Sequence, residues 1–342
     1  MSGEETSKIL EDQRNLLDEL SSRLNSLLKH YNISMSLSEV FAIVDGVNAS
    51  ALSQTDDGWV SMVSHSVSAE LRLTLCELRE QRLRSFSRKT SDASEQRLCL
   101  LRKMMDEQNL DGFLLPRADE YQSEYLPRSS QRLAWLTGFD GSAGFAIVLT
   151  RCAAIFTDGR YTLQIRDQVN EKYFEIFNTA EMLPLEWLKT NLVQNERIGF
   201  DPWLHTCDEV TKINSVLASK NATAIKLPKN LIDEIWIDRP PVPLAPIIPH
   251  PEIYSGDAFT SKFGAINAAM IENDEDVLVL SSPESIAWLL NIRGADVART
   301  PLPLSFLIYK KDGHAQLFVD QRKIINETRN HLCNAVSILP FE

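Results

Sequence analysis

One pattern of residues occurs twice in this chain, and it restricts the fold more than any other feature of the sequence. The first copy has a strand-like run, DGFLLP (111–116), then LAWLTGFDG (133–141), and short apolar runs at 145–149 and 153–156. It closes on the polar cluster Thr157, Asp158, Gly159, Arg160 and Tyr161. The second copy has DVLVLS (276–281), IAWLLNIRG (286–294), runs at 304–309 and 316–319, and then Asp320, in the same order. A helical pattern precedes each copy, with Leu98, Leu101, Met104 and Met105 in the first and residues 262–273 in the second. A supersecondary unit repeated in this way is an internal duplication. Apolar runs of four to six residues bounded by Gly and Asp read as buried strands. The turn Lys311-Asp312-Gly313 joins the last two runs as a hairpin, so each sheet must be partly antiparallel. The expectation is an α/β protein with two related domains, each built on a mixed sheet.

Residues 239–251 (RPPVPLAPIIPHP) are rich in proline, which lacks a backbone donor and fixes φ, so they read as a stiff linker. The expected organisation is a helical segment over 1–84, a first α/β domain over 85–238, the linker over 239–251 and a second domain over 252–342. The second copy is about half as long as the first. Glu342 therefore reads as the end of a truncated chain, with an open sheet edge and exposed apolar surface near Ile325, Leu332 and Ile338.

The first 84 residues read as helices. Ser2 with Glu5 and Ser36 with Glu39 have the spacing of capping boxes. Leu10, Leu17 and Leu24 lie seven apart, with Leu20 and Leu27 at the second seam position. That spacing admits two readings: a short coiled coil that pairs chains into a homo-oligomer, or an amphipathic helix packed on its own domain. The basic run from Arg79 to Lys89 reads as a solvated helix end.

A formal charge of −12 and a pI near 5.1 argue against nucleic acid or an anionic membrane as the main partner. Five scattered cysteines without CxxC spacing suit a reducing cytosol, which is the expected location. The first residues are too polar for a secretory signal, and no apolar run reaches membrane-spanning length.

Few motifs could carry chemistry. Ser142 lies in a glycine-rich turn, but a strand and not a helix follows it, so it is no nucleophile elbow. The spacing of Gly138, Gly141 and Gly144 is not that of a phosphate cradle. The six histidines show no metal-ligand spacing, and His205 and His250 read as surface or capping groups. The best candidate is Asp158-Gly159-Arg160-Tyr161. At a strand end Arg160 could present its guanidinium to a carboxylate or carbonyl, or it could pair with Asp158 and close the turn.

Several stretches together resemble a known family. They are Pro116-Arg117-Ala118-Asp119 with Gln122-Ser123-Glu124-Tyr125; residues 137–144; Thr157-Asp158-Gly159-Arg160-Tyr161; Ile235-Trp236 with Asp238-Arg239-Pro240; and residues 286–289 with 291–297. In these, residues 95–342 resemble the non-catalytic N-terminal part of the cytosolic Xaa-Pro aminopeptidases (aminopeptidase P), in the creatinase and prolidase superfamily. Position 121 is Tyr where that family usually has His. The resemblance implies two creatinase N-terminal-like domains ahead of a catalytic domain. That domain holds two divalent metals, usually manganese, through two Asp, one His and two Glu, and cleaves the bond before a proline at the second position of a peptide. It also implies that Arg160 helps to bind the peptide and that the metal ligands lie beyond Glu342. On this reading the chain contains no catalytic residue and no metal site, and by itself hydrolyses nothing. The other reading is a stand-alone, non-catalytic binding or oligomerisation protein derived from that family.

Overall fold

The computed structural model describes residues 3–49, 57–64, 67–86 and 94–341. Ser2, half of one expected capping box, lies outside them, as do Arg88 and Lys89 of the basic run. The chain divides into two units, residues 89–239 and residues 1–88 together with 240–342. Among the described residues no helix is long and apolar enough to cross a membrane.

The N-terminal helices are α1 (Gly3–His30), α2 (Leu37–Ala49) and α3 (Ala69–Phe86). The capping box at α2 forms as its spacing requires: the Glu39 carboxylate accepts from Ser36 N at 2.7 Å, and Ser36 Oγ accepts from Glu39 N at 3.3 Å. Leu24, Leu27 and Leu28 of α1 are buried against Val40, Val44, Leu71, Leu75 and Leu78, so this stretch of α1 packs within its own unit. Leu10 and Leu17, the other heptad leucines, have no described side chains. Arg79 is buried, contrary to the reading of a solvated end. Its Nε donates to Asn48 Oδ1, and Asn48 Nδ2 donates to the Arg79 carbonyl, so two polar groups satisfy each other between α2 and α3.

The middle unit comprises α4 (Ser94–Glu107), β1 (Gly112–Pro116), α5 (Arg132–Thr137), β2 (Phe145–Leu149), β3 (Ala153–Thr157), α6 (Thr162–Gln168), β4 (Glu175–Asn178), α7 (Pro184–Asn191), β5 (Arg197–Phe200), α8 (Cys207–Ala218), β6 (Thr223–Lys226) and α9 (Leu231–Ile235). Its six strands lie in the order β4-β3-β2-β1-β5-β6. β2 is antiparallel to both β1 and β3, while β1/β5, β3/β4 and β5/β6 are parallel, so the sheet is mixed as expected. One core forms on each face. Phe113, Leu115, Ala146, Val148 and Ile155 face α4, α5 and α9. Leu114, Ile147, Ala154 and Phe156 face Trp187, Leu188, Ile213 and Leu217 of α7 and α8. Burial on both sides explains why these strands read as unbroken apolar runs.

In the other unit residues 240–251 are not a free connector. Leu244, Ala245 and Ile247 are buried, Leu244 N donates to the Gly46 carbonyl at 2.9 Å, and Ile247 N donates to the Lys323 carbonyl at 2.9 Å. Most of the expected linker is thus built into the unit it precedes, because Leu244 and Ile247 find apolar cores to enter. The change of unit falls at Arg239–Pro240. There follow β7 (Ile248–Pro249), α10 (Glu252–Ser255), α11 (Phe259–Glu272), β8 (Val277–Leu280), α12 (Pro283–Leu290), β9 (Ile292–Arg293), β10 (Phe306–Lys310), β11 (Ala315–Phe318), α13 (Asn326–Leu332) and β12 (Val336–Leu339). The main sheet has the order β12-β11-β10-β8, and its pairings repeat β4-β3-β2-β1 in position and direction. The α5 helix ends on Gly138 at φ 87°, and α12 ends on Asn291 at φ 48°, the same left-handed stop in both copies. Leu332 is buried and Ile338 is partly buried against the core. The sheet has two edges, β12 and β8, and the exposed apolar side chains are at β8, on Val277 and Val279.

Candidate functional site

The pairings of the middle sheet bring several chain segments to one edge. The C-terminal ends of β1, β3, β4 and β5 and the N-terminal end of β2 all lie there. In open α/β sheets the carboxyl ends of strands are where ligands bind. Three of the stretches singled out in the sequence therefore converge, Arg117 to Tyr125, Gly141 to Gly144 and Asp158 to Tyr161, and the segment Asp201 to His205 that follows β5 joins them.

Asp158 stands at the end of β3 and caps the turn that follows. Its Oδ1 accepts from Arg160 N at 2.9 Å. The Arg160 side chain folds back onto the same carboxylate, with Nε donating to Oδ1 at 3.0 Å and Nη2 to Oδ2 at 2.8 Å. This charge-assisted fork holds the Asp158 carboxyl below its usual range. The turn-closing reading of the pair describes Nε and Nη2, and Nη1 is left outside the fork. Nη1 lies 3.8 Å from Glu124 Oε1, and the guanidinium carbon sits 5.1 Å from the centre of the Tyr161 ring. Arg160 and Glu124 are both more than half exposed, so the donor faces solvent.

Around this donor runs a short polar relay. The Tyr161 hydroxyl and Ser142 Oγ lie 2.7 Å apart, and Ser142 Oγ donates to Glu124 Oε1 at 3.1 Å. Arg117 ties the loop together, its Nη1 donating to the carbonyls of both Glu124 and Ser142. Ser142 thus serves as a link between Tyr161 and Glu124. Glu124 comes from a loop distant in sequence, and only the proximity of β1, β2 and β3 brings it to Arg160. Nothing in its spacing from Arg160 signals the meeting.

Two buried polar groups lie on the same edge. Asp119 Oδ1 accepts from the backbone of Tyr121 and Ser123, while its Oδ2 has no partner. Burial raises its pKa to about 6. The turn it closes places Tyr121, whose side chain is buried. His205 reads from the sequence as a surface or capping group, but it is buried between the rings of Phe145 and Phe200, with Nδ1 3.8 Å from Glu209. Burial depresses its pKa and favours the neutral ring. The signal for this enclosure was Phe200 closing β5, five residues ahead of the histidine. His250 lies in the other unit, its backbone N donating to the Asn291 carbonyl. Among the described residues no group of three or more His, Cys, Asp or Glu could hold a metal ion.

Residues 97–235 and 238–342 each match the model of the creatinase/prolidase N-terminal domain. The chain is 34% identical over 252 residues to the "Probable Xaa-Pro aminopeptidase P" of Coccidioides posadasii, covering 73% of this chain and 41% of that protein. It is 35% identical over 255 residues to aminopeptidase P2 of Arabidopsis thaliana, covering 72% of this chain and 36% of that protein. The chain thus spans about two fifths of the length of these curated relatives. A crystal structure of X-prolyl aminopeptidase from Caenorhabditis elegans, described as a cytosolic enzyme with a di-nuclear active site, superposes with a TM-score of 0.69 at 29% identity. That match covers 72% of this chain and 42% of the nematode enzyme. The duplicated order read in the sequence, the repeated strand frame and these matches agree: the chain belongs to the creatinase/prolidase family and carries its N-terminal domain in two successive copies.

Proposed function

We propose that this chain is the substrate-facing N-terminal portion of an Xaa-Pro aminopeptidase, which removes an N-terminal residue that precedes proline. It contributes peptide binding, gating and assembly, and the metal-dependent hydrolysis belongs to a catalytic domain outside these residues. The observation that carries this reading is the Nη1 of Arg160. It is a charged donor oriented by the Asp158 fork and open to solvent at the carboxyl edge of the sheet. A guanidinium whose other nitrogens are already fixed loses little freedom when it donates to a carbonyl or carboxylate. Glu124, Ser142 and Tyr161 border the same position, and a peptide chain laid along the edge meets alternating acceptors and donors. We place the protein in the cytosol, in keeping with five cysteines that form no disulfide and with the cytosolic nematode enzyme.

The test uses two proteins. In a polypeptide that also contains the catalytic domain, Arg160→Ala raises KM for an Arg-Pro-Pro peptide while Arg160→Lys recovers part of the loss; an unchanged KM and turnover removes Arg160 from substrate binding. The present chain, incubated with the same peptide and excess manganese, releases no arginine. Turnover that a chelator abolishes would place the active site within these residues.

A further inference from the structure

We propose that Trp203 is a distal contact for the substrate, its indole taking a proline ring of the peptide several residues beyond the group bound by Arg160. This edge of the sheet then selects extended peptides that carry a further proline. The contact rests on the peptide-binding reading of Arg160 and adds to it a residue, a length and a direction.

Trp203 is exposed, yet the chain around it is fixed. Just after β5, Asp201 Oδ1 accepts from Trp203 N at 3.0 Å, and Asp201 Oδ2 accepts from Asn230 Nδ2 at 2.9 Å. Pro202 sets φ between them. On the other side Leu204 is buried, and His205 is enclosed by the rings of Phe145 and Phe200. The indole itself is 69% exposed. A single exposed apolar side chain is ordinary on a protein surface. This one differs in its rigid base and in its place at the carboxyl edge, where strand ends receive ligands. A second aromatic ring is exposed on the same edge: Tyr125, in the loop after β1, the strand next to β5. Tyr125 adjoins Glu124, whose carboxylate meets Ser142 and Arg160. Tryptophan and tyrosine offer a large contact area at little cost in side-chain freedom. Proline-containing segments suit such surfaces, because their extended backbone is already formed before binding.

The strand order gives the reach. Arg160 follows β3 and Trp203 follows β5, with β2 and β1 between these strands. Three strand spacings of about 4.8 Å separate the two by about 14 Å, which an extended peptide crosses in about four residues at about 3.3 Å each. Ser142, ahead of β2, and Glu124, beyond β1, stand between the two ends and offer polar partners to the intervening backbone. A substrate with proline at its second position has one residue ahead of that proline. A chain crossing the edge from Arg160 therefore runs towards its C-terminus, and its later residues arrive at Trp203.

The test uses the full chain labelled with 5-fluorotryptophan, with Trp203→Phe assigning the fluorine resonance. The probes are Arg-Pro-Pro, the heptapeptide Arg-Pro-Pro-Ala-Ala-Ala-Ala, and the same heptapeptide with one alanine at position five, six or seven replaced by proline. The expected result is that the best proline variant shifts the Trp203 resonance and binds at least fivefold tighter than Arg-Pro-Pro, which leaves the resonance in place. In Trp203→Ala that variant binds no tighter than Arg-Pro-Pro, and Trp203→Tyr recovers part of the difference. Arg160→Ala weakens short and long peptides alike. Equal affinity for Arg-Pro-Pro and every heptapeptide, or a preference for length that survives Trp203→Ala, overturns the distal contact while the effect of Arg160→Ala stands. A preference that the all-alanine heptapeptide shows in full overturns the choice of proline. Binding of every peptide unaltered by Arg160→Ala, or no binding at millimolar peptide, overturns the Arg160 reading and this contact with it.

Discussion

The two sheets share a four-strand frame and differ in how they are covered. In the first, β1, β2 and β3 are buried along almost their whole length, because helices lie on both faces. In the second, burial alternates along β10 and β11, because the main core forms on one face. The Asp-x-Arg turn is common to both. Asp320 caps the turn after β11, and Arg322 folds back on it with Nε to Oδ1 at 3.0 Å and Nη2 to Oδ2 at 2.6 Å, like Arg160 on Asp158. The fork is therefore part of the frame. What distinguishes the first copy is the set of groups beside it. Tyr161, Ser142 and Glu124 form an open polar relay, whereas in the second copy Lys323 stands in the place of Tyr161 and is buried in an ion pair with Asp296. One copy leaves this position partly exposed beside polar groups, and the other buries it in an ion pair.

The largest test of that contrast is Asp296→Ala. Removing one partner of a buried pair leaves Lys323 charged and uncompensated, which costs about 3–5 kcal/mol. Urea unfolding should show the loss, and a change below about 1 kcal/mol would show that the pair does not hold the second copy together. Asp119→Asn comes next and concerns the first copy. Its carboxyl has a folded pKa of about 6 against 3.8 unfolded, so the folded state prefers it protonated. Stability is therefore lost as pH rises from about 4 through 6, by up to about 3 kcal/mol in total. Asn keeps the acceptor for Tyr121 and Ser123, and the variant should be flatter across this window; parallel pH profiles for variant and parent would deny the buried carboxyl this role.

Arg160→Ala and Arg322→Ala sharpen the comparison itself. In a polypeptide with its catalytic domain, the first should weaken peptide binding by roughly ten- to a hundredfold, as loss of a charged hydrogen bond does. The second should leave KM unchanged. Equal effects would mean that the shared fork, and not its surroundings, carries the function. The smallest effect is expected for Tyr161→Phe, which removes a partly exposed bond to Ser142 and should cost about 0.5–1.5 kcal/mol in thermal unfolding. A larger loss would make the relay structural.

Much of this frame is legible in the sequence because it is local. Strand runs, the hairpin turn and the Ala-Trp-Leu helices recur at fixed spacing, and the residues that follow α5 and α12 permit the same left-handed stop. The contrast in cover is also written locally, in the continuous GFLLP and AAIFT against the alternating FLIYK and AQLF. Spatial order is not local. An open edge with exposed apolar surface was expected near Leu332 and Ile338; β12, which carries Ile338, is indeed one edge of the sheet, but the exposed apolar side chains lie at the other edge, on β8. Arg160 was identifiable from its neighbours Asp158 and Tyr161, while Glu124 and the enclosure of His205 depend on strands meeting at one edge. The proline-rich stretch misled for a related reason. Its prolines describe the stiffness of the backbone, and only tertiary packing reveals that Leu244 and Ile247 are buried.

The seating of Leu244 against Gly46 has a consequence during synthesis. A Cβ on Gly46 would fall 2.5 Å from Leu244, so the glycine leaves room for this one side chain, and Leu244 completes the core of α1, α2 and α3. Those helices leave the ribosome first, but their last core residue is translated roughly 160 residues after α3 ends, a delay of about 8–30 s at ordinary elongation rates. Throughout that interval Leu71, Leu75 and Val44 belong to an unfinished core, while residues 89–239 emerge with every strand of their sheet in one continuous segment. The middle of this protein therefore has its whole sheet at hand before the core at its beginning is complete.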